Sequence, residues 1–135
     1  MRILLDTQIW LWLCKSPERV SKRTLRQLEN ERNELLLSAA SVWEIAIKYS
    51  LGKLPLPSPP AEYIPEGLTM TGTHPVAVQF SHAVRVARLP FHHRDPFDRL
   101  LIAQAQAEGI PIVTADPNFK RYDVEIISAG NLCDP

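Results

Sequence analysis

Short, wholly apolar runs alternate along this chain with longer stretches of helical periodicity. Ile3-Leu4-Leu5 is ended by Asp6, and Leu35-Leu36-Leu37 sits inside a run from Glu34 to Ser38. Both read as buried strands, as do residues 110–114 and 124–127. Between them the pattern predicts helices. The first spans about 8–13 and is broken by Lys15-Ser16-Pro17. Ser21 reads as the N-cap of a charged helix to about Glu31, with Leu25 and Leu28 as a narrow apolar stripe. Ser41 reads as the start of a third helix, with Val42, Ile45, Ala46 and Tyr49 at helical spacing and Gly52 as its stop. Phe80, Val84 and Ala87 predict a helix over 76–88, with a break near Ser81. The clearest helix runs from Pro96 to Glu108, capped by Asp95, with proline at its first position and Gly109 at its close. Residues 54–75 hold Pro55, Pro57, Pro59, Pro60, Pro65 and Pro75, and read as a connector with little regular structure beyond a strand at 68–71. Apolar strands alternating with helices predict an α/β fold around a mostly parallel sheet.

A chain of 135 residues suits one domain, and a hydrophobic fraction of 45% is enough to fill its core. Lys+Arg and Asp+Glu both total 15, so the formal charge is zero. That balance argues against disorder and leaves nucleic-acid binding to a local patch. The longest apolar run near the start, Ile9 to Cys14, predicts neither a signal peptide nor a membrane span. Cys14 and Cys133 show no zinc or disulfide spacing, which suits a reducing cytoplasm.

The candidate chemistry lies in four carboxylates. Asp6 and Asp116 each follow a strand, while Glu44 and Asp98 read as lying in the first turns of helices. In a parallel layer, strand ends and helix starts share one edge. A helix of about 12 residues descends about 18 Å, and a strand of about 6 climbs about 20 Å, so Asp98 and Asp116 return to one height. Each acid also has a local explanation: a turn for Asp6 and Asp116, a capping box with Ser41 for Glu44, and the helix dipole for Asp98. Those explanations do not account for convergence. Two unit charges 4 Å apart repel by about 4 kcal/mol at an effective dielectric near 20. Such a cluster raises pKa values or recruits a cation. Oxygen-only ligands favour Mg²⁺ or Mn²⁺, and a metal so held suits phosphodiester hydrolysis.

Four blocks carry a family resemblance: Ile3-Leu4-Leu5-Asp6-Thr7, Ser41-Val42-Trp43-Glu44-Ile45, His93-Arg94-Asp95-Pro96-Phe97-Asp98-Arg99 through Ala105, and Val113-Thr114-Ala115-Asp116 with Phe119. In that order they resemble the PIN domain, and more narrowly the VapC-type toxins of toxin-antitoxin modules. The resemblance implies a single PIN domain over 1–135, a three-layer sandwich with its central sheet flanked by helices. It further implies a cytoplasmic Mg²⁺- or Mn²⁺-dependent endoribonuclease acting on structured RNA such as tRNA or rRNA, a cognate antitoxin, and a homodimer. Asp6 and Asp98 would be the principal metal ligands, with Glu44 and Asp116 completing a catalytic quartet. Thr114 would support them through its hydroxyl, and Asp95 would brace the helix that carries Asp98. Arg99 is left open between a structural role and a phosphate contact. Water attack in this family leaves a 5′-phosphate, so the RNA 2′-hydroxyl serves recognition.

Two other readings stand beside this one. An aspartate-based phosphoryl-transfer domain is opposed by Gln8, where a phosphatase of the haloacid type needs a second aspartate, and by the position of Lys120 beyond the strand. A non-catalytic PIN-like interaction module is opposed by the four intact acids. Lys48, Lys53, Arg85, Arg88 and Arg94 are candidate phosphate contacts or solvated charges. His92 and His93 are weaker candidates as metal ligands or bases. Of Trp10 and Trp12, which cannot share a helix face, one reads as core and the other as surface. Trp43 reads as core or interface.

Overall fold

A computed structural model describes residues 1–130 of the chain. Five strands form one all-parallel sheet in the order β3-β2-β1-β4-β5: β1 Arg2–Leu5, β2 Glu34–Ser38, β3 Thr73–Val76, β4 Ile112–Thr114 and β5 Ile126–Ser128. The helices are α1 Thr7–Lys15, α2 Lys22–Glu29, α3 Ala39–Ser50, α4 Pro60–Thr71, α5 Phe80–Arg85 and α6 Pro96–Glu108. Alternation along the strands feeds two cores. Ile3, Leu5, Leu35, Leu37 and Val113 point to one face and pack with Ile9, Trp10, Leu28 and Ile64. Leu4, Leu36 and Ile112 point to the other and pack with Leu101, Ile102, Ala105 and Phe119. This is the three-layer α/β sandwich expected from the sequence. Burial on both faces accounts for strands that read as continuous apolar runs.

The chain order places β2 on one side of β1 and β4 on the other. The carboxyl end of β1, where Asp6 stands, is therefore a topological switch point, the place where open α/β sheets keep their ligands.

Several local expectations change. α3 begins at Ala39 because Ser38, not Ser41, is its cap and accepts a 3.1 Å bond from the Ala40 amide. Ser41 is instead buried and accepts a 2.8 Å bond from the Thr7 hydroxyl. Glu44 thus belongs to the second turn and to no capping box with Ser41. The proline-rich stretch is not a structureless connector, since α4 fills most of it. Pro60 sits at the helix start where its missing N–H costs nothing, and Gly72 closes the helix with φ +64°. Pro65 removes an internal hydrogen bond, and the burial of Ile64 and Gly67 offsets it. The strand expected at 68–71 lies beyond Gly72, where Val76 pairs with Ser38. That pairing takes Val76 out of the helix predicted over 76–88, leaving the short α5 and a 3-10 turn at Val86–Arg88. Phe80 and Val84 are exposed, at 92% and 70%, so the buried residue of α5 is His82. Strands expected at 110–114 and 124–127 are trimmed to Ile112–Thr114 and Ile126–Ser128.

The sheet's two margins are finished differently. β3 carries Pro75 in register with Leu37. Beside β5, the Thr24 hydroxyl donates to the Ser128 carbonyl at 2.6 Å and the Ser21 amide to the Ala129 carbonyl at 2.9 Å.

Trp10 is fully buried and is the core tryptophan; Trp12 is half-buried under the Arg19 guanidinium at 4.7 Å. Trp43 is not core, being 59% exposed against the edge of Phe97 at 5.3 Å between ring centroids. Cys14 is a free, half-buried thiol whose pKa burial raises to about 11; Cys133 lies outside the described residues. Among the described residues, no helix is long and apolar enough to cross a membrane.

Helices α1 and α4 meet at Gly67, where an added Cβ would lie 2.7 Å and 2.8 Å from Trp10 ring carbons and 3.0 Å from Cys14 Sγ. Helix propensity alone favours alanine by about 1 kcal/mol, whereas overpacking a rigid ring costs about 1–3 kcal/mol. Gly67→Ala is therefore expected to lower the urea midpoint with an unchanged m-value; a raised midpoint would show that Trp10 can move aside.

Candidate active site

One cleft of about 470 Å³ opens at the carboxyl edge of the sheet, lined by Asp6, Glu44, Asp95, Asp98 and Asp116 together with Thr7, Gln8, Lys48 and Lys53. All four acids singled out from sequence are brought together there. β1 delivers Asp6, α3 delivers Glu44, the first turn of α6 delivers Asp98, and the turn after β4 delivers Asp116.

Each acid is held by a different device. The Thr114 hydroxyl donates to Asp6 Oδ2 at 2.8 Å and accepts the Asp116 amide at 3.0 Å, so one side chain ties two acids across neighbouring strands. Asp116 Oδ1 accepts the Asn118 amide at 2.9 Å and caps the 3-10 turn Pro117–Arg121. Asp95 Oδ1 accepts the Asp98 amide at 2.9 Å, which fixes the start of α6. Lys48 Nζ reaches Glu44 Oε2 at 2.6 Å from the next turn of α3.

Electrostatics records the crowding. Burial pushes the Asp6 carboxyl up to about 6; Glu44 and Asp116 add to the rise, against the Thr114 hydroxyl and the Thr7 backbone. Asp98 rises to about 8, first through burial and then through the charges of Asp95, Asp6, Glu44 and Asp116. Lys48 is raised as well, chiefly by its hydrogen bond to Glu44. The raised carboxyls mark acids that are buried first of all and then crowded by one another's charge.

The donor set here is oxygen throughout, which suits a hard divalent ion. Among the described residues, no group of three or more Asp, Glu, His or Cys side chains is already gathered closely enough to hold a metal ion. A closed cage is not what Mg²⁺ requires: it keeps several waters and takes one or two carboxylates directly. Carboxylates lining an open cleft fit that ion, with Asp6, Glu44, Asp98 and Asp116 as the groups able to hold it or its waters.

The other candidates sort cleanly. Lys48 and Lys53 line the cleft, whereas Arg85 is turned away and donates to Gln106 Oε1 at 2.9 Å. Arg99 is buried, and its guanidinium donates to the carbonyls of Pro90, Val86 and Leu89 and to the Tyr122 hydroxyl, with the Phe91 ring 4.3 Å away. Its role is to pin residues 86–91 over α6, not to meet a phosphate. His93 is more involved than the sequence suggests: its Nε2 lies 3.1 Å from Asp98 Oδ2 and its Nδ1 2.7 Å from the Tyr122 hydroxyl. Tyr122 carries no motif in the sequence; it is the extended residue just after the 3-10 turn Pro117–Arg121.

Compared with known proteins, residues 3–125 match the PIN domain. The chain belongs to the PIN domain family. Over 55 residues this PIN domain is 53% identical to ribonuclease VapC16 of Mycobacterium tuberculosis, an alignment covering 41% of the chain and 39% of that relative's length. Its fold resembles the crystal structure of VapBC2 from Rickettsia felis bound to a promoter DNA fragment, with a TM-score of 0.71, 18% identity, and coverage of 95% of this chain and 98% of that one. DNA-bound VapBC from Salmonella typhimurium is similar at a TM-score of 0.67 and 15% identity, covering 96% and 99%. At those identities the two structures bear on the fold alone.

The raised carboxyls give the metal-free PIN domain a pH dependence of known sign. An acid whose folded pKa lies above its unfolded value binds protons the unfolded chain has released, so its contribution is complete below about pH 4. That contribution fades as pH rises through about 6 for Asp6 and about 8 for Asp98. In EDTA, melting temperature is expected to fall between pH 5 and pH 8.5 beyond any drift shared with Asp98→Asn. The Asp98→Asn protein is expected to melt higher than wild type at pH 8, and equally stable proteins there would contradict the crowding.

Proposed function

We propose that this PIN domain is a divalent-metal-dependent endoribonuclease, the toxin of a toxin-antitoxin pair. The observation that carries the reading is the convergence of Asp6, Glu44, Asp98 and Asp116 on one cleft. The partial likeness to a VapC ribonuclease supports it. Mg²⁺ or Mn²⁺ bound among these carboxylates would supply an activated water and charge stabilisation at a phosphodiester. The chain's own residues do the rest. Thr114 holds Asp6 and Asp116 in one orientation, Asp95 sets the height of Asp98, and Lys48 and Lys53 offer positive charge to the RNA backbone beside the acids. The substrate is structured RNA such as tRNA or rRNA, cut in a loop where bases are unstacked. The protein works in the cytoplasm as a homodimer held in check by a cognate antitoxin, consistent with a fold shared by VapBC complexes.

The phosphatase reading is opposed by Gln8, which lines the cleft where that chemistry needs an acid. A purely binding role is opposed by the four intact acids, all of which line the one cleft.

Purified protein incubated with total RNA and Mg²⁺ is expected to produce discrete 5′-phosphate ends, and EDTA should stop cleavage. Asp6→Asn and Asp98→Asn should each lower the rate at least about 100-fold, comparable to losing a principal electrostatic group, while circular dichroism stays unchanged. Full cleavage by either variant would overturn the assignment. Millimolar Mg²⁺ should also raise the wild-type melting temperature through binding to the native state, and this gain should vanish in Asp6→Asn.

A further inference from the structure

We infer that His93 and Tyr122 are positioning residues that hold the Asp98 carboxylate in its metal-binding orientation, an inference resting on the nuclease reading of the cleft. The Tyr122 hydroxyl lies 3.2 Å from Arg99 Nη1 and 3.3 Å from the His93 amide, both of which can only donate. Its oxygen is thus used as acceptor, and its own proton goes to His93 Nδ1 at 2.7 Å. With Nδ1 accepting, Nε2 is the ring nitrogen left to donate, and it lies 3.1 Å from Asp98 Oδ2. Arg99 cannot reverse: its fork is anchored on three backbone carbonyls, in the buried first half of α6. The direction of every proton in the chain Arg99, Tyr122, His93, Asp98 is therefore set by a residue that does not touch the cleft.

Packing fixes the ring as well as the tautomer. His93 meets the edge of Tyr122 at 5.4 Å and a tilted Phe119 at 6.3 Å, and Phe119 and Tyr122 are both buried. Asp98 Oδ2 is thereby occupied from the protein side, which leaves Oδ1 to face a cation. Partners of this kind behind a ligand typically change metal affinity or activity about 10–100-fold.

Calorimetric titration of the metal-free chain with Mn²⁺ tests this. Tyr122→Phe, which removes one oxygen 29 positions from His93 in sequence, is expected to weaken binding about 10-fold or more. His93→Leu should weaken it further, and His93→Gln, which keeps a donor near Asp98, should lose less. Cleavage by Tyr122→Phe should recover toward wild type as Mg²⁺ is raised to saturation. A Tyr122→Phe protein that melts lower in EDTA but binds Mn²⁺ as wild type would overturn the inference, leaving a structural role. Nitrogen chemical shifts of the wild-type imidazole showing the proton on Nδ1 would overturn it independently of any variant. Wild-type protein that binds no Mn²⁺, or Asp6→Asn that binds it equally well, would instead overturn the reading of the cleft itself.

Discussion

Like charges confined at the end of a parallel sheet are the constraint around which this molecule is organised. Left free, the acids would separate; the fold prevents this by fixing each on a different rigid element. Asp6 terminates the central strand, Glu44 rides the second turn of α3, Asp98 is locked by Asp95, and Asp116 is tied to Asp6 through a shared threonine hydroxyl. The unfavourable energy stored there is what a cation would release. Local instability and ligand affinity are in this sense one quantity seen from two sides.

The cations already present divide into two kinds. Lys48 and Lys53 line the cleft as point charges on flexible stems, Lys48 paired with Glu44. Arg99 is the opposite case, a buried guanidinium saturated by carbonyls, a phenol and an aromatic face. A charged group inside a sequence motif near the acids invites a substrate-binding reading. Here the charge is used to knit the segment before α6 to the helix itself.

Elements whose signals are local are legible in the sequence. β1, β2 and α6 have the bounds expected from an apolar run or from Asp95-Pro96 and Gly109 at the two ends. The four acids are legible because strand ends and helix starts share an edge in any parallel layer. What is not legible depends on distant partners. Ser38 and Ser41 are both fully buried and equally good caps locally; the Thr7 hydroxyl, 34 positions from Ser41, engages that side chain and leaves the cap to Ser38. α4 is hidden by its prolines, because the burial that offsets Pro65 comes from α1. Tyr122 reaches His93 across 29 positions, so no spacing rule connects them.

The margins of the sheet carry a final consequence. Pro75 has no N–H to offer along β3, while the Ser128 carbonyl at the end of β5 is taken by the Thr24 hydroxyl and the Ala129 carbonyl just beyond by the Ser21 amide. Each flank is thereby blunted against the templated pairing that a foreign strand would need. Among the described residues, these features direct assembly away from the sheet margins and toward the helical faces, where side chains rather than backbone choose the partner.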